Sequence, residues 1–142
     1  MRLNRSTDIG LRILMLAAAR DDRFTIDELA DGLVVPRHHL AKVVQRLQRM
    51  GLLETVRGRG GGVRLAAAGR GASVGGIVRE LEGGTEVVEC DGVSPCPLQA
   101  GCRLRGALHR AQEAFYRSLD PITVEDLTAP PTREVLLSIG RP

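Results

Sequence analysis

Apolar residues in the first fifty positions of the chain recur every three or four residues, which is the spacing of a helix with one buried face. The first such run predicts a helix from Thr7 to Arg20. A second helix is predicted from Thr25, because Thr25 precedes Glu28 by three residues in the spacing of a capping box. The apolar face of the first helix comprises Ile9, Ile13, Leu14, Leu16 and Ala17.

A third helix is predicted between Pro36, which suits a first helical turn, and Gly51, which suits the position after a helix end. Its buried stripe comprises Leu40, Val43, Val44, Leu47 and Met50. The pattern then changes to two short strands, residues 52–56 and 63–65, separated by a glycine-rich turn. Three helices followed by a hairpin are the elements of a winged helix-turn-helix, in the same order.

The second half of the chain has a different pattern. A helix is predicted from Ser73 to Glu82, a loop rich in glycine and proline follows, and a long helix is predicted from Cys102 to Leu119. Apolar positions of the long helix alternate between spacings of four and three, which predicts a seam that pairs two subunits. The seam comprises Leu104, Leu108, Ala111, Phe115 and Leu119. A short helix near Thr123 and a docked or frayed tail complete the predicted elements.

Positive charge is concentrated in one segment, although the whole chain is only mildly basic, with a net charge of +3 and a pI near 9.1. Residues 37–64 contain seven Lys or Arg and a single acid, Glu54, whereas the residues from Leu65 onward contain eight basic and ten acidic side chains. A compact positive segment in an otherwise balanced chain favours a polyanionic partner such as DNA.

The third helix and the hairpin offer side chains suited to duplex DNA. An α-helix fits the major groove, where Arg and Gln bind base edges, and an extended Arg on a glycine-rich hairpin enters a narrow minor groove. The predicted contacts are Arg37, His38, Lys42, Gln45 and Arg49 on the helix, with Arg46 beside them, and Arg57 and Arg59 on the hairpin. A solvated basic face is the alternative. Residues 37–64 contain no aromatic side chain for stacking on single strands, and their glycines match no nucleotide-binding motif.

All three cysteines, Cys90, Cys96 and Cys102, lie in the stretch VECDGVSPCPLQAGCRLRG. No signal peptide and no membrane-spanning apolar run are visible, so we expect a cytoplasmic chain with reduced thiols and no membrane partner. An odd number of cysteines also cannot pair completely within one chain. Three clustered thiols therefore favour metal, cluster or redox chemistry over disulfides.

The spacing of the thiols distinguishes between metal centres. Thiolates suit zinc, copper(I) and iron–sulfur clusters, but structural zinc sites usually contain paired C-x2–4-C units, which the chain lacks. Glycines and prolines inside both five-residue gaps favour a loop wrapped around a bulky centre. Zinc and an unligated loop are the alternatives. An enzyme is disfavoured, because the sequence contains no C-x3-C-x2-C radical motif, nucleotide loop or paired catalytic carboxylates.

The segments MRLNRSTDIGLRILM and VVPRHHLAKVVQRLQRMGLLETVRGRGGGVRLA, with three cysteines before LHRAQEAFYRSLDPITVEDL, resemble a family of bacterial winged-helix regulators. That family includes the iron–sulfur regulators of the IscR branch and the nitric-oxide-sensing repressors of the NsrR branch, and the chain looks closer to the NsrR branch. The resemblance implies a homodimer that binds operator DNA through the third helix and the hairpin. It also implies one iron–sulfur cluster per subunit, a [4Fe–4S] cluster, held by Cys90, Cys96 and Cys102.

The fourth cluster ligand is where the sequence departs from the IscR branch. That branch has a histidine three residues after the third cysteine, where this chain has Arg105. His109 would lie roughly 10 Å from Cys102 along a helix, too far for both to bind one iron. The resemblance to the NsrR branch implies Asp8 of the partner subunit instead. A carboxylate that only stabilises a helix N-terminus is the alternative.

Together, the residues and the resemblance predict a mainly α chain in which residues 1–68 form a winged helix-turn-helix DNA-binding domain. Residues 69–142 supply a cluster-binding loop and a dimerisation helix. The implied function is a transcriptional repressor whose cluster senses nitric oxide and releases operator DNA when it is damaged. A regulator that senses iron–sulfur or redox status, and a zinc-stabilised DNA-binding or interaction protein, are the alternatives.

Overall fold

The computed structural model describes residues 1–140, and most of its elements are helices. In chain order they are α1 (Arg5–Arg20), α2 (Ile26–Leu33), α3 (Arg37–Arg49), β1 (Leu53–Val56), β2 (Gly62–Leu65), α4 (Val74–Glu82), a 3-10 turn (Gln99–Gly101), α5 (Arg103–Leu119), α6 (Val124–Leu127) and α7 (Thr132–Ser138). This order confirms the prediction of a mainly α winged helix-turn-helix. Among residues 1–140, no helix is both long and apolar enough to cross a membrane.

Side-chain caps set the helix boundaries close to the positions that the sequence predicts. The Asn4 side chain accepts a hydrogen bond from the N–H of Thr7 at 2.8 Å, so α1 begins two residues earlier than predicted. Thr25 and Glu28 form the predicted capping box at the start of α2. Gly51, with a φ of 73°, follows the end of α3 and supplies the left-handed residue expected there.

The hairpin is an antiparallel pair in which residues 53–56 lie opposite residues 62–65. Phe24 extends this sheet, because its N–H and its carbonyl group form two hydrogen bonds of 2.8 Å with Val63. A Cβ at Gly62 would overlap the Phe24 carbonyl group, so this close approach requires glycine. The sequence pattern predicts both strands but not the contact with Phe24, since a single isolated bridge has no periodicity.

One hydrophobic core joins the two predicted segments of the chain. Ile77 and Leu81 of α4, Val124 of α6 and Leu136 of α7 belong to the same buried cluster as the apolar faces of α1, α2 and α3. Gly10 allows a close approach of α1 to α4, because a Cβ there would lie 2.9 Å from Leu81 Cδ1. The predicted segments 1–68 and 69–142 therefore differ in their predicted roles, but they pack together around one shared core.

The C-terminal segment contains a helix that the sequence pattern does not predict. The pattern predicts a docked or frayed tail, whereas α7 follows Pro130 and Pro131 and packs on α1 with Leu136 buried. The seven residues of α7 make only about two turns, too few for a helical period to stand out. The tail is therefore docked as far as residue 140, and Arg141 and Pro142 lie outside the described residues.

Val34 ends α2 in an unfavourable backbone conformation. Its φ of 55° and ψ of 51° lie in the left-handed region, which disfavours β-branched residues. The side chain is 88% exposed, so no burial compensates for this conformation. The turn that leads into α3 is therefore locally strained.

Replacing Val34 with glycine should raise the free energy of unfolding by up to about 1 kcal/mol. Glycine removes a left-handed cost of roughly 1–2 kcal/mol and adds a smaller entropic cost through the unfolded chain. Urea denaturation at one fixed protein concentration measures the difference. Val93→Gly is the matched control, since Val93 is also exposed but lacks a positive φ, and it should leave stability unchanged or lower. Equal losses in both variants would contradict the strain at Val34.

Candidate nucleic-acid interface and metal centre

The outward side of α3 carries the polar residues that the sequence predicts for DNA contact. These residues are all exposed, and they are Arg37, His38, Lys42, Gln45 and Arg49. The opposite side is buried in the core through Leu40, Val43, Val44 and Leu47. The core therefore fixes the orientation of α3, and the helix presents cationic and amide side chains to the solvent.

One of these side chains, Arg37, is paired within the subunit. Its Nε donates to Asp27 Oδ1 at 2.7 Å, and both side chains are mostly exposed. Exposed ion pairs contribute roughly 0–1 kcal/mol, so a DNA phosphate can replace Asp27 at little cost. The pair therefore leaves Arg37 available to a polyanion.

Arg46 has a different role from the one that its place beside this polar face suggests. Its guanidinium reaches α4 and donates to the carbonyl oxygens of Leu81 at 3.0 Å and Glu80 at 2.5 Å. A cation suits that helix end, because its last carbonyl groups lack partners within the helix. Arg46 therefore ties α3 to α4, which the sequence cannot show, since spacing does not reveal which helix a long side chain reaches.

The tip of the hairpin is surrounded by cations. Arg57 and Arg59 are exposed, as a DNA-binding hairpin requires. Arg23, which precedes α2, also reaches the tip, because its Nη2 atom lies 2.6 Å from the position that a Cβ would take at Gly60. Sequence reasoning missed Arg23, because the strand pairing that brings it to the hairpin leaves no pattern in the chain.

The three cysteines lie on the loop between α4 and α5, and all three thiols are free. Cys90 is only 8% exposed, whereas Cys96 and Cys102 are half-buried. The loop folds back on itself, because the Cys96 N–H donates to the Cys90 carbonyl oxygen at 3.1 Å. Cys102 caps α5, and its Sγ accepts a hydrogen bond from the N–H of Arg105 at 3.4 Å. The predicted ligands therefore share one short, folded loop.

Arg105 joins the two ends of this loop. Its Nε and Nη2 atoms donate to the Glu86 carboxylate at 3.0 and 3.1 Å, and Nη2 also donates to Asp91 at 2.8 Å. Asp91 accepts a further hydrogen bond from the side chain of Gln99. One guanidinium therefore links both sides of Cys90 to the first turn of α5. Sequence reasoning identified Arg105 only as the residue that replaces the histidine of the IscR branch, and it did not predict these contacts.

The electrostatics of the loop oppose ionisation of its buried thiol. Burial raises the pKa of Cys90, and the positive charge of Arg105 partly offsets that rise. The charges of Cys96, Glu86 and Asp91 raise the pKa of Cys90 further. The pKa of Arg105 is itself raised, mainly by its hydrogen bonds to Glu86 and then to Asp91, so its charge is permanent. The site is therefore acidic and rich in thiols, with a fixed cation beside it.

The donor set fits an iron–sulfur cluster in its chemistry. Thiolates are the usual ligands of such clusters, and each binds a separate iron, so the sulfurs need not converge on one point. In the part of the chain that the structure describes, no three His, Cys, Asp or Glu side chains stand close enough together to hold a single metal ion. The residues that could hold a polynuclear centre are Cys90, Cys96 and Cys102.

The predicted fourth ligand, Asp8, lies in the first turn of α1 and is paired within the subunit. Arg12 Nη2 lies 2.8 Å from Asp8 Oδ2, and Arg12 Nε donates to Asp8 Oδ1 at 2.9 Å. The Asp8 side chain is 46% exposed, so its carboxylate is accessible to a second subunit. Over residues 1–140, Asp8 belongs to no cluster of three or more potential metal ligands. His109 is exposed on α5.

Helix α5 has one side packed on α4 and one open edge. Gln112 and Tyr116 are its buried residues, and Gln112 donates to the carbonyl oxygen of Thr85 at the root of the cysteine loop. The predicted seam comprises Leu104, Leu108, Ala111 and Phe115, of which Ala111 is exposed and Leu104 is 62% exposed within the single subunit. Leu108 is half-buried, and Phe115 packs in part against the buried cluster around Tyr116. The N-terminal half of the seam is therefore the more accessible part.

Comparison with known proteins places these features in a family. Residues 3–130 match the Rrf2 family, described as an iron-dependent transcriptional regulator. The chain is 54% identical over 142 residues to the HTH-type transcriptional repressor NsrR of Streptomyces coelicolor, a match that covers 98% of this chain and 96% of that protein. It is 41% identical over 131 residues to the HTH-type transcriptional regulator NsrR of Geobacillus kaustophilus, covering 89% of each.

Solved structures share the fold. CymR, the global cysteine regulator of B. subtilis, has a TM-score of 0.68 and 26% identity over 89% of this chain and 95% of that chain. IscR of T. potens has a TM-score of 0.67 and 22% identity over 89% of this chain and 85% of that chain. These relatives are regulators, which confirms the expectation that the chain is not an enzyme. Matched along most of its length, the chain belongs to the Rrf2 family and is a DNA-binding transcriptional repressor.

Proposed function

We propose that this protein is a homodimeric cytoplasmic repressor of operator DNA that senses nitric oxide through a [4Fe–4S] cluster in each subunit. The observation that carries the proposal is the folded loop with Cys90, Cys96 and Cys102 in a chain 54% identical to a repressor named NsrR. Damage to this cluster by nitric oxide would release the operator. The identity of the signal follows the resemblance to the NsrR branch.

The DNA-binding surface consists of the outward side of α3 and the tip of the hairpin. Gln45 and Arg49 can form paired hydrogen bonds with base edges in the major groove, and Arg59 can enter the adjacent minor groove. The remaining cations and polar groups hold the protein on the phosphates, and they are Arg37, His38, Lys42 and Arg57. Their exposure and the positive charge of residues 37–64 support this assignment.

Two subunits pair through the seam of α5. A leucine that is 62% exposed, Leu104, stands in line with Leu108, Ala111 and Phe115 at the spacing of a helix–helix contact. A second copy of the same seam would cover these apolar side chains. The paired subunits would then present two copies of α3 to half-sites about 34–36 Å apart, which is one turn of the duplex.

The cluster would be held by Cys90, Cys96 and Cys102 of one subunit and by Asp8 of the partner subunit. When bound, it supplies iron atoms that react with nitric oxide. A carboxylate matches iron in a sulfur-rich centre less well than a thiolate does, so Asp8 is the ligand most easily displaced. Arg12 contacts both oxygens of Asp8, so ligation would divide the lone pairs of this carboxylate between iron and the guanidinium.

The cysteine loop is connected to α3 through the end of α4. Gly83 and Gly84, both with positive φ, join α4 to the loop. Arg46 of α3 binds the carbonyl oxygens of the last turn of α4. A loop that moves after losing its cluster would therefore displace the turn to which α3 is hydrogen-bonded.

The same end of α4 also contacts the start of α1. The Asn4 side chain donates to the Leu81 carbonyl oxygen at 3.2 Å, and the Asn4 N–H donates to Glu82 Oε1 at 2.9 Å. Asp8 lies one turn further along α1. Cluster ligation by Asp8 would thus act on α1, and the position of the loop would act on the end of α4. Both effects would reach α3 through the contacts of Asn4 and Arg46 with α4.

Leu108→Glu should produce monomers or insoluble protein, because it places a charge within the proposed seam. Sedimentation at micromolar concentration measures the mass of the soluble species. Arg110→Glu is the control, because position 110 lies about 200° around α5 from Leu108 and should leave the dimer intact. A soluble, unaltered dimer from Leu108→Glu would show that the subunits pair through another surface.

Asp8→Ala should leave a cluster that assembles but is more labile, whereas alanine at Cys90, Cys96 or Cys102 should abolish assembly. Anaerobic absorption spectra and native mass measurement of the dimer report the cluster, and loss to a chelator reports its lability. Arg12→Ala is the matched control, because it removes the ion pair but keeps the carboxylate. If Asp8→Ala matches the parent or Arg12→Ala in spectrum and lability, Asp8 is only a helix-end carboxylate.

The dimer with intact clusters should bind operator at least about tenfold more tightly than the nitrosylated or cluster-free dimer, a typical size for coupling between sites. All three forms must be measured at one salt concentration, because salt alone changes such affinities strongly. Arg59→Ala is a reference variant, whose loss of a groove contact should weaken the intact form by about 1–3 kcal/mol. Equal affinities for the three forms would contradict the sensing role.

A further inference from the structure

The loop between α4 and α5 is acidic and has no cation of its own. Residues 83–102 include Glu86, Glu89 and Asp91 but no Lys or Arg. Carboxylates repel one another and repel thiolate ligands, and this repulsion favours an open loop. A folded loop therefore needs a positive charge from outside, and Arg105 supplies it from the first turn of α5.

We propose that Arg105 is a positioning residue that holds the three-cysteine loop folded before a cluster binds and keeps a positive charge beside the cluster afterwards. The second half of this inference rests on the proposed cluster site. The first half concerns the cluster-free chain and stands on its contacts alone.

The contacts of Arg105 reach the chain around two of the three predicted ligands, Cys90 and Cys102. Its guanidinium binds Glu86, four residues before Cys90, and Asp91, the residue directly after it. Its backbone N–H donates to the sulfur of Cys102 at 3.4 Å. One residue therefore fixes the chain on both sides of the first cysteine and contacts the third.

The partial burial of its arginine distinguishes this network from the other ion pairs near the proposed functional surfaces. The Arg105 side chain is 29% exposed, whereas the side chains of Arg12 and Arg37 in their pairs are 54% and 67% exposed. Less solvent reduces screening, and a forked contact with two carboxylates adds geometric constraint. A loop closed in advance loses less entropy when the cluster binds, which favours assembly.

The same charge would also act on the bound cluster. Thiolate ligands make a cluster site anionic, and reduction adds one more negative charge. A nearby cation stabilises the reduced form more than the oxidised form and so raises the reduction potential. Lysine keeps this charge but cannot reproduce a planar, forked contact, so Arg105→Lys separates the two roles.

Hydrogen exchange of the full-length, cluster-free protein tests the first role. The amides of Cys96 and Gln99 report loop closure, because both are hydrogen-bonded within the loop. In Arg105→Gln, we expect these amides to exchange about three- to tenfold faster, the effect of losing an ion-pair network. Arg103→Gln is the matched control, since it removes the same charge from an exposed position on α5 and should change exchange by less than about twofold.

The reduction potential of the reconstituted protein tests the second role. Arg105→Gln should lower the potential relative to Arg103→Gln, whereas Arg105→Lys should stay near the parent value while its loop exchanges faster. Equal exchange in Arg105→Gln and Arg103→Gln would overturn the positioning role. Equal potentials in those two variants would overturn the charge role. If the parent itself never takes up a cluster, the proposed function fails, and the exchange result still decides the positioning role.

Discussion

The last turn of α4 has carbonyl groups that no residue of its own helix can satisfy, and the chain satisfies them from two other helices. Arg46 donates from α3, and Asn4 donates from the start of α1. Two residues further on, the chain enters the acidic loop that carries the cysteines. The proposed DNA-binding helix, α3, is therefore hydrogen-bonded to the turn of α4 that leads into the proposed sensor loop. A movement of that turn would strain or break the contacts of Arg46 and Asn4.

Close helix packing makes α4 suited to transmit such a change. A Cβ at Gly75 would collide with Asp120 and with the backbone of Tyr116, so α4 and the end of α5 touch without an intervening side chain. At the other end of α4, Gly10 of α1 makes room for the Leu81 side chain, because a Cβ at Gly10 would lie 2.9 Å from Leu81 Cδ1. Tightly packed elements shift as bodies instead of deforming, because the interior has little free volume. A shift of α4 would therefore be passed on to α1 and α5, on which it packs.

The sequence predicts those parts of the fold that depend on local patterns. Periodic apolar residues and the capping box at Thr25 located α1 to α5 within a few residues, and a positive segment marked the surface of α3 and the hairpin. The family followed from motifs along nearly the whole chain. Contacts between distant segments had no such signal. Arg23 approaches the hairpin tip, and Arg46 donates hydrogen bonds to α4. Neither contact can be predicted from the spacing of residues along the chain, because each depends on how separate elements pack.

The sign of the electrostatics decides how a cluster can strengthen DNA binding. In the cluster-free loop, burial raises the pKa of Cys90 and favours its neutral thiol. A bound cluster would replace the thiols by thiolates and add a cationic iron–sulfur core, so the loop would become more negative by about one charge. Added negative charge near a DNA-binding surface weakens attraction to phosphates. Charge alone would therefore make the cluster-free dimer the tighter binder, opposite to the proposed switch. The cluster can favour binding only by holding a conformation with higher affinity for the operator. The free energy that DNA binding gains from this conformation must exceed the loss from charge repulsion. The hydrogen bonds of Arg46 and Asn4 to α4 offer a route by which the loop can influence the conformation of α3 and α1.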